Sequence, residues 1–192
     1  RHNTSVFMLD MHAPGVEVRP IRQITGVASF GQVFIDTDID DADDLILGQE
    51  GEGWNLSSIV GAQRGRQGYR RVGNAGGGRP EFAGWVRRLR ECADEVGASA
   101  ATRARIDELE LRYLAHAWHD KRVVELSLAE RDGLGATSVT KILTAELIQD
   151  MTSCGMDIGC TRHETYWRSR HFDFRKMSIA GGPNEIYRNV IA

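Results

Sequence analysis

Several marks of specialised protein classes are missing from this sequence of 192 residues. It has no apolar stretch long enough to span a bilayer, and no basic segment followed by an apolar one opens the chain. A net charge of −3 offers nothing that would attract a nucleic acid or an anionic lipid surface. We therefore expect a cytoplasmic protein with neither a nucleic acid nor a membrane as a partner.

Cysteine is scarce: the chain has Cys92, Cys154 and Cys160, and no C-x-x-C pair. An odd number without paired spacing predicts reduced thiols rather than a disulfide framework. A metal site made of Cys154, Cys160 and His163 would lack the close ligand pairs of zinc proteins. The acidic residues over 36–44 lack the glycine and the final glutamate of an EF-hand, so they predict a solvated loop. We expect no metal site.

The remaining composition, 41% hydrophobic and 27% charged residues, is that of an ordinary globular protein. The length allows one domain or parts of two. Over 5–9, about 16–21 and 27–35 the sequence has the short apolar stretches of β-strands, with core positions predicted at Phe30, Val33 and Phe34. Later apolar residues follow helical spacing, so the predicted fold class is mostly α with a β portion.

Four helices are predicted after the strands, with glycine-rich joints that suit an antiparallel bundle. The first begins at Trp54 and ends at a glycine run over 73–78, which we interpret as a flexible linker. The second spans 80–97, the third begins near Ser99 and the fourth near Ala136. The apolar residues predicted to be buried are Ile106, Leu109, Leu111, Tyr113, Leu114, Ala117 and Trp118 in the third helix, and Val139, Ile142, Leu143, Leu147, Ile148 and Met151 in the fourth.

The C-terminal residues hold the most informative pattern in the chain. An apolar segment stops at Gly181-Gly182-Pro183, and Asn184 is predicted to cap a new helix. The adjacent glycines allow positive φ angles and a close approach of the backbone to a ligand. The new helix carries apolar residues at helical spacing, namely Ile186, Val190 and Ile191.

Five segments occur in an order that resembles the C-terminal half of the acyl-CoA dehydrogenases. They are the strand sequences over 5–21, the segment 30–36, the segment 45–54 with the helix that bears Gln63 and Arg64, the helix start 137–142, and the tail 176–192. The resemblance covers nearly the whole chain. It implies that residues 1–50 form the end of the family's middle β-domain and that residues 51–192 form its C-terminal four-helix bundle.

The same resemblance implies α,β-dehydrogenation of an acyl-CoA thioester with FAD as cofactor. In that reaction a carboxylate removes the α-proton while the β-hydrogen leaves as hydride. Family members place the basic glutamate at one of two positions, which are Gly181 and Gln63 in this chain. Neither side chain accepts a proton, so the sequence identifies no catalytic residue. Gly181, Gly182 and Arg64 are the cofactor contacts that the resemblance implies.

Other polar residues near the tail are candidates of a weaker kind. Glu185 is a conceivable replacement for the base, but we expect it to pair with a basic side chain. A basic cluster faces either the phosphates of CoA and flavin or the solvent. Its members are Arg162, His163, Arg168, Arg170, His171 and Arg175.

Two functions follow from this sequence. The first is that of an acyl-CoA dehydrogenase-like flavoprotein subunit, which acts on fatty acyl or steroid-derived CoA esters within a homo- or hetero-oligomer of such subunits. Some actinobacterial members of the family resemble this chain in lacking the base, and there a partner subunit supplies it. The alternative is a non-catalytic helical assembly module that binds no flavin.

Overall fold

The computed structural model describes residues 4–37, 46–54, 56, 80–129 and 134–192. The chain divides into two compact units, Arg1–Gly68 and Tyr69–Ala192. The fold is mostly helical with a small β-sheet, as the sequence predicts. Within the described residues, no helix combines the length and the apolar character that crossing a membrane requires.

The N-terminal unit contains a two-stranded antiparallel sheet. Strand β1, Val16–Ile21, pairs with β2, Phe30–Ile35, in a register that places Val16 opposite Ile35. The strand predicted over 5–9 is wrong, because the segment has an isolated bridge, Phe7 to Ile46, and the preceding Thr4 makes another to Glu52.

The predicted core positions on β2 are also wrong. Phe30, Val33 and Phe34 are exposed by 53%, 43% and 38%. A two-stranded sheet buries side chains only where a further layer covers one of its faces, and alternation along a strand does not reveal whether that layer exists.

The C-terminal unit is built from five described helices in chain order. The first prediction, a helix from Trp54 to the glycine run over 73–78, lies mainly outside the described residues. The helix predicted to begin near Ser99 starts beside that residue, whose Oγ accepts a hydrogen bond from the Thr102 backbone N–H at 3.2 Å. The helix predicted to begin near Ala136 starts slightly before it. The helices are α1, Pro80–Glu95; α2, Ala100–Leu128; α3, Leu134–Ile158; α4, Glu164–Asp173; and α5, Asn184–Ile191, with 3-10 turns at Thr161–His163 and Phe174–Ser178.

One hydrophobic core joins the first four of these helices. Trp167 of α4 is 1% exposed, and its ring meets Trp85 of α1 edge to face at a centroid distance of 6.1 Å. Gly155 of α3 is buried directly beneath that indole ring, which occupies the place where a Cβ atom would lie. The other buried members include Phe82, Val86, Leu89, Ile106, Leu109, Leu147, Ile148 and Met151.

Part of the predicted core of α2 is instead on the surface. Leu111, Leu114 and Trp118 are exposed by 66%, 47% and 69%, so their predicted burial is wrong. Helix α2 packs through its opposite side, where Ile106 and Leu109 are buried. The sequence offers two apolar stripes on one helix, and the neighbours α1 and α3 cover one of them. Leu143 of α3, also predicted to be buried, is 38% exposed.

All three cysteines are buried thiols without a disulfide. Burial, reinforced by the neighbouring Cys160 thiol, raises the pKa of Cys92 to about 11. Burial likewise raises the pKa of Cys154. Because a thiolate is the reactive form of cysteine, these residues are suited to packing rather than to nucleophilic chemistry.

We expect the free energy of unfolding to fall as the pH rises from 9 towards 11. The unfolded Cys92 thiol loses its proton above its ordinary pKa of 9.0, whereas the folded thiol keeps it. Deprotonation therefore stabilises the unfolded state relative to the folded state between these two pKa values. Urea unfolding at about pH 8 and about pH 10 measures the fall. Cys92→Ala should show a smaller fall than the unmodified chain, and an identical fall in the two would contradict the assignment.

Candidate active-site wall at the C-terminal turn

The segment 175–188 carries the paired glycines, and its first end is fixed to α3. Arg175 donates from one guanidinium nitrogen to Ser153 Oγ at 2.9 Å and to the Gln149 carbonyl at 3.2 Å. Gln149 Nε2 donates in return to the Arg175 carbonyl at 3.2 Å. These reciprocal contacts set where the chain leaves the helical core before the turn.

The second end of the segment is fixed to the same helix. Lys141 Nζ of α3 donates to Asn184 Oδ1 at 2.6 Å, and Asn184 is 4% exposed. Arg188 donates to Glu146 Oε1 at 2.7 Å. The segment therefore begins and ends on α3, and its glycine turn lies between the two attachments.

Asn184 does not cap α5, which corrects the sequence prediction. The helix begins at Asn184 itself, and Pro183 precedes it in the N-cap position with φ −61° and ψ 145°. Proline fixes φ near this value without any side-chain hydrogen bond. The Asn184 amide oxygen is thereby available to accept the bond from Lys141.

The turn itself needs glycine for two different reasons. Gly181 and Gly182 both have positive φ, +72° and +105°. A Cβ at Gly182 would come within 3.0 Å of the Tyr187 ring, whereas a Cβ at Gly181 would meet nothing within 4 Å. The Tyr187 hydroxyl donates to the Gly181 carbonyl at 2.7 Å and closes the turn. A side chain at position 181 would consequently project into open space from a backbone that is held in place.

Lys141 is the charged group that underlies this turn. Its Nζ lies 5.1 Å from the centroid of the Tyr187 ring, a cation–π arrangement, besides contacting Asn184. Burial lowers the pKa of Lys141, and the Glu185 carboxylate partly opposes that effect. Glu185 itself lies 3.7 Å from Arg188 and is largely exposed, which agrees with the pairing expected from the sequence.

The basic cluster predicted from the sequence divides into separate local contacts. The Arg88 and Arg170 guanidinium groups lie 3.9 and 3.6 Å from the centre of the Tyr166 ring. Arg168 contacts Glu164 at 3.4 Å. Burial, with a further contribution from Arg175, lowers the pKa of His171 and favours its neutral form. These contacts hold Arg88, Arg168 and Arg170 against neighbouring side chains.

Of the predicted site residues, Gly181 and Gly182 lie together in the turn. Gln63 and Arg64 lie outside the described residues. Sequence reasoning missed Lys141 and Tyr187, although both belong to segments that carry the family resemblance. A tyrosine shortly after paired glycines was a usable local signal, whereas the contact between Lys141 and Asn184 joins residues far apart in the chain.

Known proteins are similar to nearly the whole of this chain. The family model for the acyl-CoA dehydrogenase C-terminal domain matches residues 51–192. The acyl-CoA dehydrogenase IpdE1 of Mycobacterium tuberculosis is 31% identical over 201 residues, which cover 98% of this chain and 49% of that protein. The chain spans about half the length, or less, of the curated relatives that it matches.

Solved structures share the fold over nearly the whole chain. The Tcur3481-Tcur3483 steroid ACAD superposes with a TM-score of 0.78 at 15% identity, covering 100% of this chain and 51% of that one. The ChsE4-ChsE5 complex from Mycobacterium tuberculosis gives a TM-score of 0.71 at 18% identity, with coverages of 97% and 50%. At these identities the likeness shows the fold alone.

Proposed function

Since the chain belongs to the acyl-CoA dehydrogenase family, we propose that it forms part of a flavoprotein that dehydrogenates acyl-CoA thioesters between Cα and Cβ. We assign residues 1–50 to the end of the middle β-domain and residues 51–192 to the C-terminal helical domain. The match of the family model over 51–192 supports this division. The proposed substrates are fatty acyl or steroid-derived CoA esters in the cytoplasm, and the steroid ACAD among the structural neighbours supports the second class.

Relatives in this family bind FAD. Gly181 leaves open space where a side chain would stand, and a Cβ at Gly182 would make a tight contact with the Tyr187 ring. We propose that Gly181 and Gly182, with Arg64, border the flavin. When bound, FAD accepts the hydride from the substrate. The role of this chain is to form one wall of the cofactor site. Tyr187 and Lys141 keep the backbone of that wall fixed.

The observation that carries the proposal is the absence of an acid–base group at position 181. Removing an α-proton needs a base within hydrogen-bond reach, and a glycine has none. Glu185 is directed to Arg188 at 3.7 Å, and this pairing favours a structural role for that carboxylate. We therefore propose that a base-bearing subunit of the same family completes the active site. Neighbours that are complexes of two differently named chains support such an assembly.

The lack of a base also favours a second candidate, a helical assembly module that binds no flavin. The two candidates differ in one visible property. Oxidised flavin absorbs in the visible range, and a module without flavin is colourless. The glycine turn would then be a remnant of the family architecture with no ligand beside it.

Absorption spectra of two preparations test the proposal. The chain is purified alone and together with any base-bearing acyl-CoA dehydrogenase subunit that is encoded beside it. We expect flavin bands, and turnover of an acyl-CoA with an artificial electron acceptor, in the joint preparation. Flavin and turnover in the isolated chain would contradict the need for a partner's base. A colourless joint complex would favour the assembly module.

A further inference from the structure

Two arginine side chains, one from α1 and one from α4, enclose a single tyrosine ring. We propose that Arg88, Tyr166 and Arg170 form a binding site for a phosphate group, which we call the Tyr166 site. Arg88 belongs to α1, and the other two residues belong to α4. The proposal stands apart from the proposed function, because it involves neither flavin nor a second subunit.

The two guanidinium groups stack on the same aromatic ring. Their central carbon atoms lie 3.9 Å (Arg88) and 3.6 Å (Arg170) from the centroid of the Tyr166 ring. Two planar groups this close to one centroid would overlap if they shared a face, so they lie on opposite faces of the ring. Tyr166 and Arg170 are neighbours on one helix surface, being four residues apart, whereas Arg88 reaches the ring from α1.

The positive charges of the Tyr166 site are not neutralised by carboxylates. Among the residues that the structure describes, no Asp or Glu oxygen lies within 4.0 Å of either guanidinium group. Two like charges thus face each other across one ring, and a bound anion relieves their repulsion. The carboxylates nearest in sequence contact other cations: Glu91 contacts Arg87 at 3.8 Å, Glu164 contacts Arg168 at 3.4 Å, and Asp173 contacts Lys176 at 2.6 Å.

The hydrogen-bond donors of the Tyr166 site are unused. A guanidinium group that stacks on a ring turns its flat face to the ring, so its N–H groups point away to the sides. Arg88 Nε is buried, and no described residue accepts a hydrogen bond from it. Buried donors in folded proteins are nearly always paired, so this one marks a place where an acceptor is missing. Arg88 and Arg170 are only half-buried, which leaves their terminal nitrogens within reach of a ligand.

A phosphate group matches this site in charge and in shape. The Tyr166 hydroxyl projects from the edge of the ring between the two guanidinium planes, and a tetrahedral anion at that edge can accept from all three groups. A phosphate monoester carries about −1.5 to −2 charges at pH 7, enough to balance two arginines, whereas a carboxylate carries one. The planar donor fork of arginine suits phosphate oxygens in particular. We therefore assign a phosphate group to the site.

Titration of the full chain with inorganic phosphate, at an ionic strength kept constant with chloride, tests the Tyr166 site. Calorimetry should show saturable binding below about 10 mM, and the Nε–H NMR signals of Arg88 and Arg170 should shift with it. Adenosine monophosphate and adenosine distinguish the source of the phosphate. Tighter binding of the nucleotide would identify a nucleotide-borne phosphate, and equal binding a free one. Adenosine itself should not bind.

Arg170→Lys keeps the charge of the site but removes the planar fork, so it should weaken phosphate binding at least about tenfold. Arg88→Lys makes the same test from α1. Arg168→Lys is the matched control, since it makes the same change on α4 at a residue that contacts Glu164. It should alter the affinity by less than about twofold. Circular dichroism should show equal helix content in all the variants.

Three results would overturn the proposal. The first is the absence of saturable phosphate binding by the unmodified chain. The second is an equal loss of affinity in Arg170→Lys and Arg168→Lys, which would indicate a diffuse positive field instead of a built site. The third is binding of adenosine as tight as that of its monophosphate. None of these results bears on the flavin spectrum of the joint preparation, so the two proposals fail separately.

Discussion

Gly181→Glu should restore acyl-CoA turnover in the proposed assembly of this chain with a base-bearing subunit when that subunit has lost its own catalytic glutamate. A Cβ at this position meets nothing within 4 Å, so a new carboxylate has room to extend from the wall. A positioned general base typically contributes about 10²–10⁴ in rate. We therefore expect acyl-CoA turnover at least about a hundredfold above that of the same assembly with Gly181.

Gly181→Gln is the matched control for this gain. It has the length of glutamate and the same unfavourable backbone at φ +72°, which costs a non-glycine residue roughly 1–2 kcal/mol. It has no group that accepts a proton at neutral pH. The measurement is the rate of acyl-CoA oxidation, with exchange of the α-proton in deuterated water as a second readout. Equal rates for the Glu and Gln variants would contradict an active-site position for residue 181.

Gly155→Ala should destabilise the helical unit by about 2 kcal/mol or more, a large effect for one methyl group. The Trp167 indole occupies the space that the new Cβ needs. That ring has no simple way to move, because Trp85 and Tyr166 pack against it edge to face at centroid distances of 6.1 and 5.1 Å. The overpacking outweighs the roughly 1 kcal/mol that alanine gains over glycine in a helix.

Gly84→Ala makes the same change in α1 and should have the opposite effect on stability. Nothing lies within 4 Å of the Cβ position there, so only the helix propensity changes and stability should rise by up to about 1 kcal/mol. Urea unfolding followed by tryptophan fluorescence measures both variants. A loss of stability in Gly84→Ala, or none in Gly155→Ala, would show that the packing around Trp167 differs from that described.

The sequence predicts the helical unit better than the β unit, for a physical reason. Helical periodicity extends over several turns in each long helix, and Leu147, Ile148 and Met151 are buried as that periodicity indicates. A strand gives a shorter signal, and whether its apolar side is covered depends on a layer elsewhere. The segment 5–9 has strand-like residues but forms only one bridge, at Phe7.

Periodicity alone also fails where one helix carries two apolar stripes. Leu109 and Leu111 both follow helical spacing, but only Leu109 faces a neighbouring helix. The glycine turn was predictable because glycine has a distinctive local conformation. The hydrogen bond that holds the turn to α3 was not predictable. Lys141 and Asn184 are 43 positions apart in the sequence, and only the folded chain brings them together.

The two attachments of the segment 175–188 to α3 have a consequence for hydrogen exchange. Arg175 ties one end to Ser153 and Gln149, and Lys141 and Arg188 tie the other. A loop with both ends on one long helix shares the opening reaction of that helix rather than fraying by itself. The backbone amide protons of the glycine turn should thus exchange in step with those of α3, although the turn is part of no regular element.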